Sequence, residues 1–381
     1  MSDTAGPSNS SRNMVASTSA AATAGEASSS NAANTDLRTH QPEVLLTQST
    51  PMKAKRSSVK PFSAHQPQAK GREREHSREM VDKFVGPMPV EMFFKEFLKP
   101  PRTKDKFKFE PCHRQKMLAV TKKKKEKAMY VALIDALKPF MGKFELIDTH
   151  DNPDTNSGAL AQEDLKPDVT LYHSNCGRSR VTDMSKAEVA FELKNSKLFD
   201  AFRDLTNSEQ EEDNKDFVRR TTKAKETAGQ LTSYAVAQFA AQFRTHLFSV
   251  LILKNKARLI YWDRAGAVVT QLFDLTEKYL AQFVWRYTRS TDKIRGMDTT
   301  VTKPTAQEII SARLYLDLDD NVIPDDEFVK FKVIDEETKA ARYFIGKRPA
   351  FKRNCSLVGR ASRGYVVWDP ITNVVMFLKD T

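Results

Sequence analysis

Apolar side chains recur at helical or strand spacing only from about residue 84 onwards. Within 84–290 this periodicity predicts helices and strands in a mixed order. The predicted helices are 86–100, 126–140, 218–244 and 276–288, and the predicted strands are 143–149, 167–173, 187–194 and a hairpin over 246–264. Because helices interrupt strands that carry alternating or continuous apolar runs, we expect this region to form an α/β domain with a mixed sheet flanked by helices.

A different pattern begins at about residue 291. One predicted helix is followed only by short strands with turn residues between them, which is typical of an antiparallel sheet. The predicted elements are a helix at 305–314 and strands at 328–335, 341–347, 364–369 and 373–380. The segment 291–381 is therefore expected to be a second, smaller structural part.

Residues 1–80 show no such periodicity. Of the first 35 residues, 28 are Ser, Ala, Thr, Asn or Gly, so too little apolar area is present to offset the entropy of ordering the chain. We therefore expect residues 1–80 to form a disordered, low-complexity and partly basic arm.

The net charge of +12 is concentrated in two segments. Residues 53–83 carry nine Lys or Arg against four acids, and residues 101–127 carry eleven against three. Such segments bind phosphates by releasing counterions, so nucleic acid is a possible partner, held by weak binding that fades with added salt. Solvated or nuclear-import segments, and protein partners, remain alternatives.

Other features of the composition argue against a membrane-spanning protein, a secreted protein and a fold held by disulfides or zinc. No apolar run approaches the roughly 18–20 residues of a membrane helix, and the N-terminus has no apolar signal core. Three widely spaced cysteines indicate neither a disulfide framework nor a zinc ribbon. We therefore expect no membrane contact, and a location in the nucleus or cytoplasm.

Two acids and a lysine mark the ends of two predicted strands. Asp168 begins one strand, and Glu192 and Lys194 lie two positions apart at the end of another, so the last two share a face. If the strands are neighbours, both carboxylates converge beside an ammonium group. This arrangement suits Mg²⁺ and a water nucleophile, with the lysine orienting the water. The alternative is a solvated acid–lysine strand end.

The ensemble resembles the PD-(D/E)XK nuclease superfamily, which has a restriction-endonuclease-like fold. The resemblance rests on Pro167-Asp168 and Glu192-x-Lys194, and it covers about residues 122–265. It implies Asp168, Glu192 and the first-helix acid Glu126 as metal ligands. Lys194 and Gln230 are then the implied catalytic residues.

A second resemblance runs from residue 86 to the end of the sequence. The blocks GPMPVEMFF, KPDVTLY, FELK, GQLTSYA, ARLIYWDRAGAVV and GRASRGYVVWD are similar, in this order, to the fungal-type protein kinase family. The resemblance implies that 291–381 is an incomplete antiparallel kinase N-lobe. Gly359, Gly364 and Lys379 would be its nucleotide-binding residues, although a spaced glycine pair is equally typical of an ordinary hairpin. ATP is an expected cofactor only if the kinase domain is complete.

Three functions follow from these patterns. The first is an N-terminal accessory or regulatory part of a fungal-type protein kinase, because no catalytic loop or metal-binding motif follows Lys379. The second is a Mg²⁺-dependent nuclease. The third is a catalytically inactive nucleic-acid-binding scaffold.

Overall fold

A computed structural model describes residues 65–154, 165–178, 181–204, 216–316, 323–347, 349, 351–352, 356–359 and 362–380. All of these residues belong to one compact unit. Residues 1–64 of the arm predicted for 1–80 lie outside the described residues. No helix among the described residues is long and apolar enough to cross a membrane.

The larger part of the fold is a mixed sheet with helices on both faces. Its helices are α1 His65–Glu79, α2 Val90–Phe97, α3 Pro111–Thr121, α4 Glu126–Leu137, α5 Thr222–Ala241 and α6 Tyr279–Arg289. Its strands are β1 Phe84–Met88, β2 Phe144–Asp148, β3 Val169–His173, β4 Val189–Lys194, β5 Leu247–Leu253, β6 Lys256–Trp262, β7 Ala267–Thr270 and β8 Phe273–Asp274. The order is β1-β7-β6-β5-β4-β3-β2, with β8 paired to β6. The predicted α/β class is confirmed.

Helix α5 connects the two parallel central strands. β2, β3 and β4 pair antiparallel, whereas β4 and β5 pair parallel and therefore need a crossover. Alternate side chains of β4 enter opposite cores: Val189, Phe191 and Leu193 pack on the face covered by α2, α4 and α6. Ala190 packs on the face covered by α5. The side chains of Glu192 and Lys194 therefore belong to the α5 face.

Residues 65–79 differ from the sequence-based prediction, because they form helix α1 instead of disordered chain. This helix has no apolar stripe, and it packs on α5 through a close backbone approach. A Cβ at Gly229 would lie 2.1 Å from the carbonyl oxygen of Glu73, so only glycine permits this contact. His76 adds a hydrogen bond to Ser233, with 2.9 Å between Nδ1 and Oγ.

The smaller sheet is antiparallel throughout, as predicted. It contains helix α7 Ala306–Tyr315 and strands β9 Val301–Thr302, β10 Val329–Ile334, β11 Ala341–Gly346, β12 Phe351–Lys352, β13 Arg363–Asp369 and β14 Val374–Asp380. The strand order is β12-β13-β11-β10-β9, and β14 pairs with β13. Its own small core contains Phe331, Phe344 and Tyr365.

A short segment of the smaller part is anchored in the larger one. Leu357 is fully buried among the side chains of the α5-side core. The amide of Gly359 donates to the carbonyl of Arg264 at 3.0 Å, and the Arg264 guanidinium donates to the carbonyl of Leu357 at 3.2 Å. Ser356 hydrogen-bonds Glu79 at the end of α1, where burial raises the pKa of that carboxyl to about 7. We call residues 356–359 the anchor segment.

Candidate functional site

The register of β3 and β4 places Asp168 opposite Glu192. Val169 pairs with Phe191 in this antiparallel ladder, so the residues one step outward face each other as well. Directly opposed residues of an antiparallel pair point to the same side of the sheet. Asp168 therefore lies at the same strand end as Glu192 and Lys194, and the predicted convergence of all three side chains on one face stays a prediction.

Helix α5 supplies two further polar groups to this face. The Lys194 ammonium donates to Glu192 Oε1 and lies 3.2 Å from Gln230 Oε1. The Gln230 amide donates to the Tyr234 hydroxyl at 2.8 Å. The Tyr234 hydroxyl in turn lies 3.2 Å from Glu192 Oε2. Gln230 and Tyr234 are one helical turn apart, which is why both reach the same strand end.

Asp168 is held from two directions. Its Oδ2 accepts the backbone N–H of Leu193 at 2.7 Å, and its Oδ1 accepts the Tyr130 hydroxyl, also at 2.7 Å. The same hydroxyl lies 3.2 Å from Glu126 Oε1. Glu126 and Tyr130 belong to α4, on the opposite face of the sheet from α5. Glu126 therefore joins the site through Tyr130.

Tyr130 is a site residue that the sequence-based prediction missed. Its position four residues after Glu126 on a helix is the only local signal for it, because such residues lie side by side. Its contact with Asp168 joins residues 38 positions apart, and nothing in the local pattern indicates that contact.

The site is buried, and burial changes its protonation. Glu192 is 1% exposed, and burial raises the pKa of its carboxyl to about 8, with further raising by Asp168. Burial also raises the pKa of Asp168, against the lowering effect of its hydrogen bonds from Tyr130 and Leu193. Burial alone would lower the pKa of Lys194, but the facing carboxylates raise it. Burial therefore favours the protonated form of both carboxyls, whereas the facing carboxylates favour the charged form of Lys194.

The three predicted metal ligands do not form one cluster. Among the described residues, a group of three ligand atoms within 4.8 Å of one another occurs at Glu110, Cys112 and His113, and not at Asp168, Glu192 and Glu126. The Glu110 group lies at the start of α3, where the Glu110 backbone N–H donates to His113 Nδ1 in a capping box. Glu126 is held apart from Asp168 by the Tyr130 hydroxyl, which lies between the two carboxylates.

The predicted nucleotide-binding residues lie in the smaller sheet and the anchor segment. Gly364 of β13 pairs with Lys379 of β14, and Lys379 is exposed. Gly359 has a φ of +88°, a left-handed conformation that favours glycine, and its amide is bound to Arg264. The structure therefore brings Gly364 and Lys379 together, and it places Gly359 against the larger sheet.

Comparison with known proteins gives one family. The family model described as fungal protein kinase matches residues 212–378, from ten residues before the start of α5 to strand β14. Gln230, Gly359 and Gly364 lie inside the matched range, whereas Asp168, Glu192 and Lys194 lie before it. No curated protein and no solved structure matches the chain.

Proposed function

We propose that this chain is an accessory part of a protein kinase of the fungal type, and that its α/β domain holds and positions the small antiparallel sheet. The observation that carries the proposal is the anchor segment. Leu357, directly before the glycine-bearing stretch 359–364, is buried in the core beside α5. The matched range 212–378 covers both α5 and this stretch, so the family resemblance extends over the contact between the two parts.

Phosphoryl transfer by these residues is not part of the proposal. A kinase needs a catalytic base and acidic metal ligands in addition to its glycine-rich loop and lysine. The sequence contains neither an H-R-D nor a D-F-G tripeptide. Gly359 is bound to Arg264, and Lys379 is exposed on the sheet, so these residues alone do not enclose a nucleotide.

Calorimetry with Mg²⁺ and ATP tests this assignment. We expect no affinity tighter than about 1 mM, which corresponds to about −4 kcal/mol, because half of the nucleotide cleft is not supplied by these residues. Lys379→Ala and the control Lys332→Ala, another exposed sheet lysine, should behave as the wild type does. Micromolar binding that is lost in Lys379→Ala alone would contradict the proposal and indicate a working nucleotide site.

A second candidate is a Mg²⁺-dependent nuclease with a restriction-endonuclease-like core. The element order α4-β2-β3-β4-α5-β5 and the position of Asp168 at the same strand end as Glu192 and Lys194 favour it. In this function Asp168 and Glu192 would hold Mg²⁺, and Lys194 would orient the attacking water. The metal would acidify that water and stabilise charge on the phosphodiester.

The contacts within the site make the nuclease the weaker candidate. Each carboxylate already accepts hydrogen bonds on both oxygens, from Tyr130 and Leu193 at Asp168 and from Lys194 and Tyr234 at Glu192. A cation would have to displace the tyrosine hydroxyls and compete with protons for carboxyls whose pKa burial raises. Glu192 is also almost inaccessible to a phosphodiester at 1% exposure. A closed polar cluster fits a supporting role better than catalysis.

The nucleic-acid scaffold stays a prediction. Residues 53–64 lie outside the described residues. In 101–127 most Lys and Arg side chains are exposed, which agrees with an electrostatic surface but is equally expected of a solvated one. No feature of these residues distinguishes the two.

A further inference from the structure

A cleft lies between helices α2 and α6, separate from both candidate sites. Two contacts fix its ends: the Tyr279 hydroxyl donates to Glu91 Oε1 at 3.0 Å, and Arg286 donates to the carbonyl of Leu98 at 2.8 Å. The cleft has a volume of about 490 Å³. This volume lies within the range of about 300–1,000 Å³ that small-molecule sites occupy.

The cleft carries a strong excess of positive charge. Four cations line it together with a single acid: Lys95, Lys99, Lys278, Arg286 and Glu91. Glu91 is already engaged by Tyr279, and it lies 3.9 Å from the Lys278 ammonium. Among the described residues, Lys95 and Lys99 have no carboxylate partner. Cations that share a concave site without counter-charges favour an anionic ligand.

Arg286 and Gln282 give the cleft a defined interior. The Arg286 guanidinium lies over the Phe94 ring, 4.7 Å from its centroid, so its plane is fixed. Burial lowers the pKa of Arg286, and Glu91 is the one group that opposes this effect. The Oε1 atom of Gln282 is buried and accepts no hydrogen bond from the described residues. Because water does not reach this atom, Gln282 lines the cleft without offering that oxygen to a ligand.

We propose that this cleft binds an organic phosphomonoester, such as a sugar phosphate or a nucleotide. The phosphate, which carries a charge of about −1.5 to −2 at neutral pH, lies among Lys95, Lys99 and Arg286. The exposed ring of Pro100 and the aliphatic parts of the lysines supply the apolar wall.

Calorimetry with four probes tests the ligand class: inorganic phosphate, ribose 5-phosphate, adenosine monophosphate and unphosphorylated ribose. We expect ribose 5-phosphate to bind more tightly than inorganic phosphate, ribose not to bind, and binding to weaken with salt. Tighter binding of adenosine monophosphate than of ribose 5-phosphate would identify a nucleotide, and equal binding a sugar phosphate. Absence of binding by all three phosphates at about 10 mM would overturn the proposal, because even weak sites bind at that concentration.

Variants then test the residues. The double variant Lys95→Gln/Lys99→Gln should weaken ribose 5-phosphate binding about tenfold or more, because charged hydrogen bonds are lost. The control Lys303→Gln/Lys332→Gln removes the same charge from exposed positions elsewhere and should change affinity little. Gln282→Leu should leave the affinities for ribose 5-phosphate and for inorganic phosphate unchanged. Equal losses in the two double variants would show only general charge attraction and would overturn the proposed site.

Discussion

Replacing Leu357 with alanine should accelerate hydrogen exchange of the Gly359 amide about a hundredfold. Truncating a fully buried leucine costs about 2–5 kcal/mol, and each 1.4 kcal/mol is about a factor of ten in an opening equilibrium. The loss falls on the anchor segment because Leu357 is its buried apolar contact. Without it, the hydrogen bond from Gly359 to Arg264 is exposed to local opening.

Ile371→Ala is the matched control, since Ile371 is 72% exposed in the turn between β13 and β14. We expect this variant to leave exchange at Gly359 unchanged. Exchange is measured residue by residue at constant pH, so a local change at Gly359 is distinguished from global unfolding. Unchanged exchange in Leu357→Ala would mean that the anchor segment does not hold the two parts together.

Arg244→Met should lower the free energy of unfolding by about 3 kcal/mol, because buried Glu188 loses one charged partner and keeps Arg295 as the other. Arg244 is 1% exposed and donates to Glu188 Oε2 at 3.1 Å and to the carbonyl of Arg295 at 2.8 Å. Glu188 is also buried, and it accepts the Tyr287 hydroxyl at 2.7 Å. Without Arg244, a buried carboxylate and a buried carbonyl lose a donor together. Denaturant unfolding measures the change.

The control for this prediction is Arg220→Met. Arg220 forms an ion pair with Asp216 four residues away, but its side chain is 79% exposed. Exposed pairs contribute about 0–1 kcal/mol, so this variant should unfold almost as the wild type does. Equal stability losses in Arg244→Met and Arg220→Met would contradict the stabilising role of the buried contacts that Glu188 makes with Arg244 and Tyr287.

Local periodicity predicted strands β2 to β6 of the larger sheet, whereas β1 overlaps the segment 86–100 that was predicted as a helix. The alternation in β4 places Val189, Phe191 and Leu193 on one face, as expected, and the acid before β3 lies opposite Glu192. These features depend on spacing along a strand, which the sequence contains directly. The antiparallel character of 291–381 was predictable for the same reason.

The remaining features depend on contacts between distant segments. Helix α1 is polar on all sides and is held by the backbone contact at Gly229, so no apolar stripe indicates it. Glu126 was predicted as a direct metal ligand, but the Tyr130 hydroxyl lies between it and Asp168. The burial of Leu357 beside α5 likewise joins residues more than a hundred positions apart. Such contacts appear only when the tertiary packing is known.

The most direct test of the accessory role is a cleavage assay on DNA and RNA with Mg²⁺ or Mn²⁺. It compares the wild type with Asp168→Asn, Glu192→Gln and Lys194→Met, which keep the shape of each side chain. The control variant is Asp151→Asn, at an exposed acid. We predict that all five proteins are equally inactive, because the carboxylates are buried and already hydrogen-bonded. Metal-dependent cleavage by the wild type and Asp151→Asn, reduced by about 10²–10³ in the other three variants, would contradict this account and establish a nuclease.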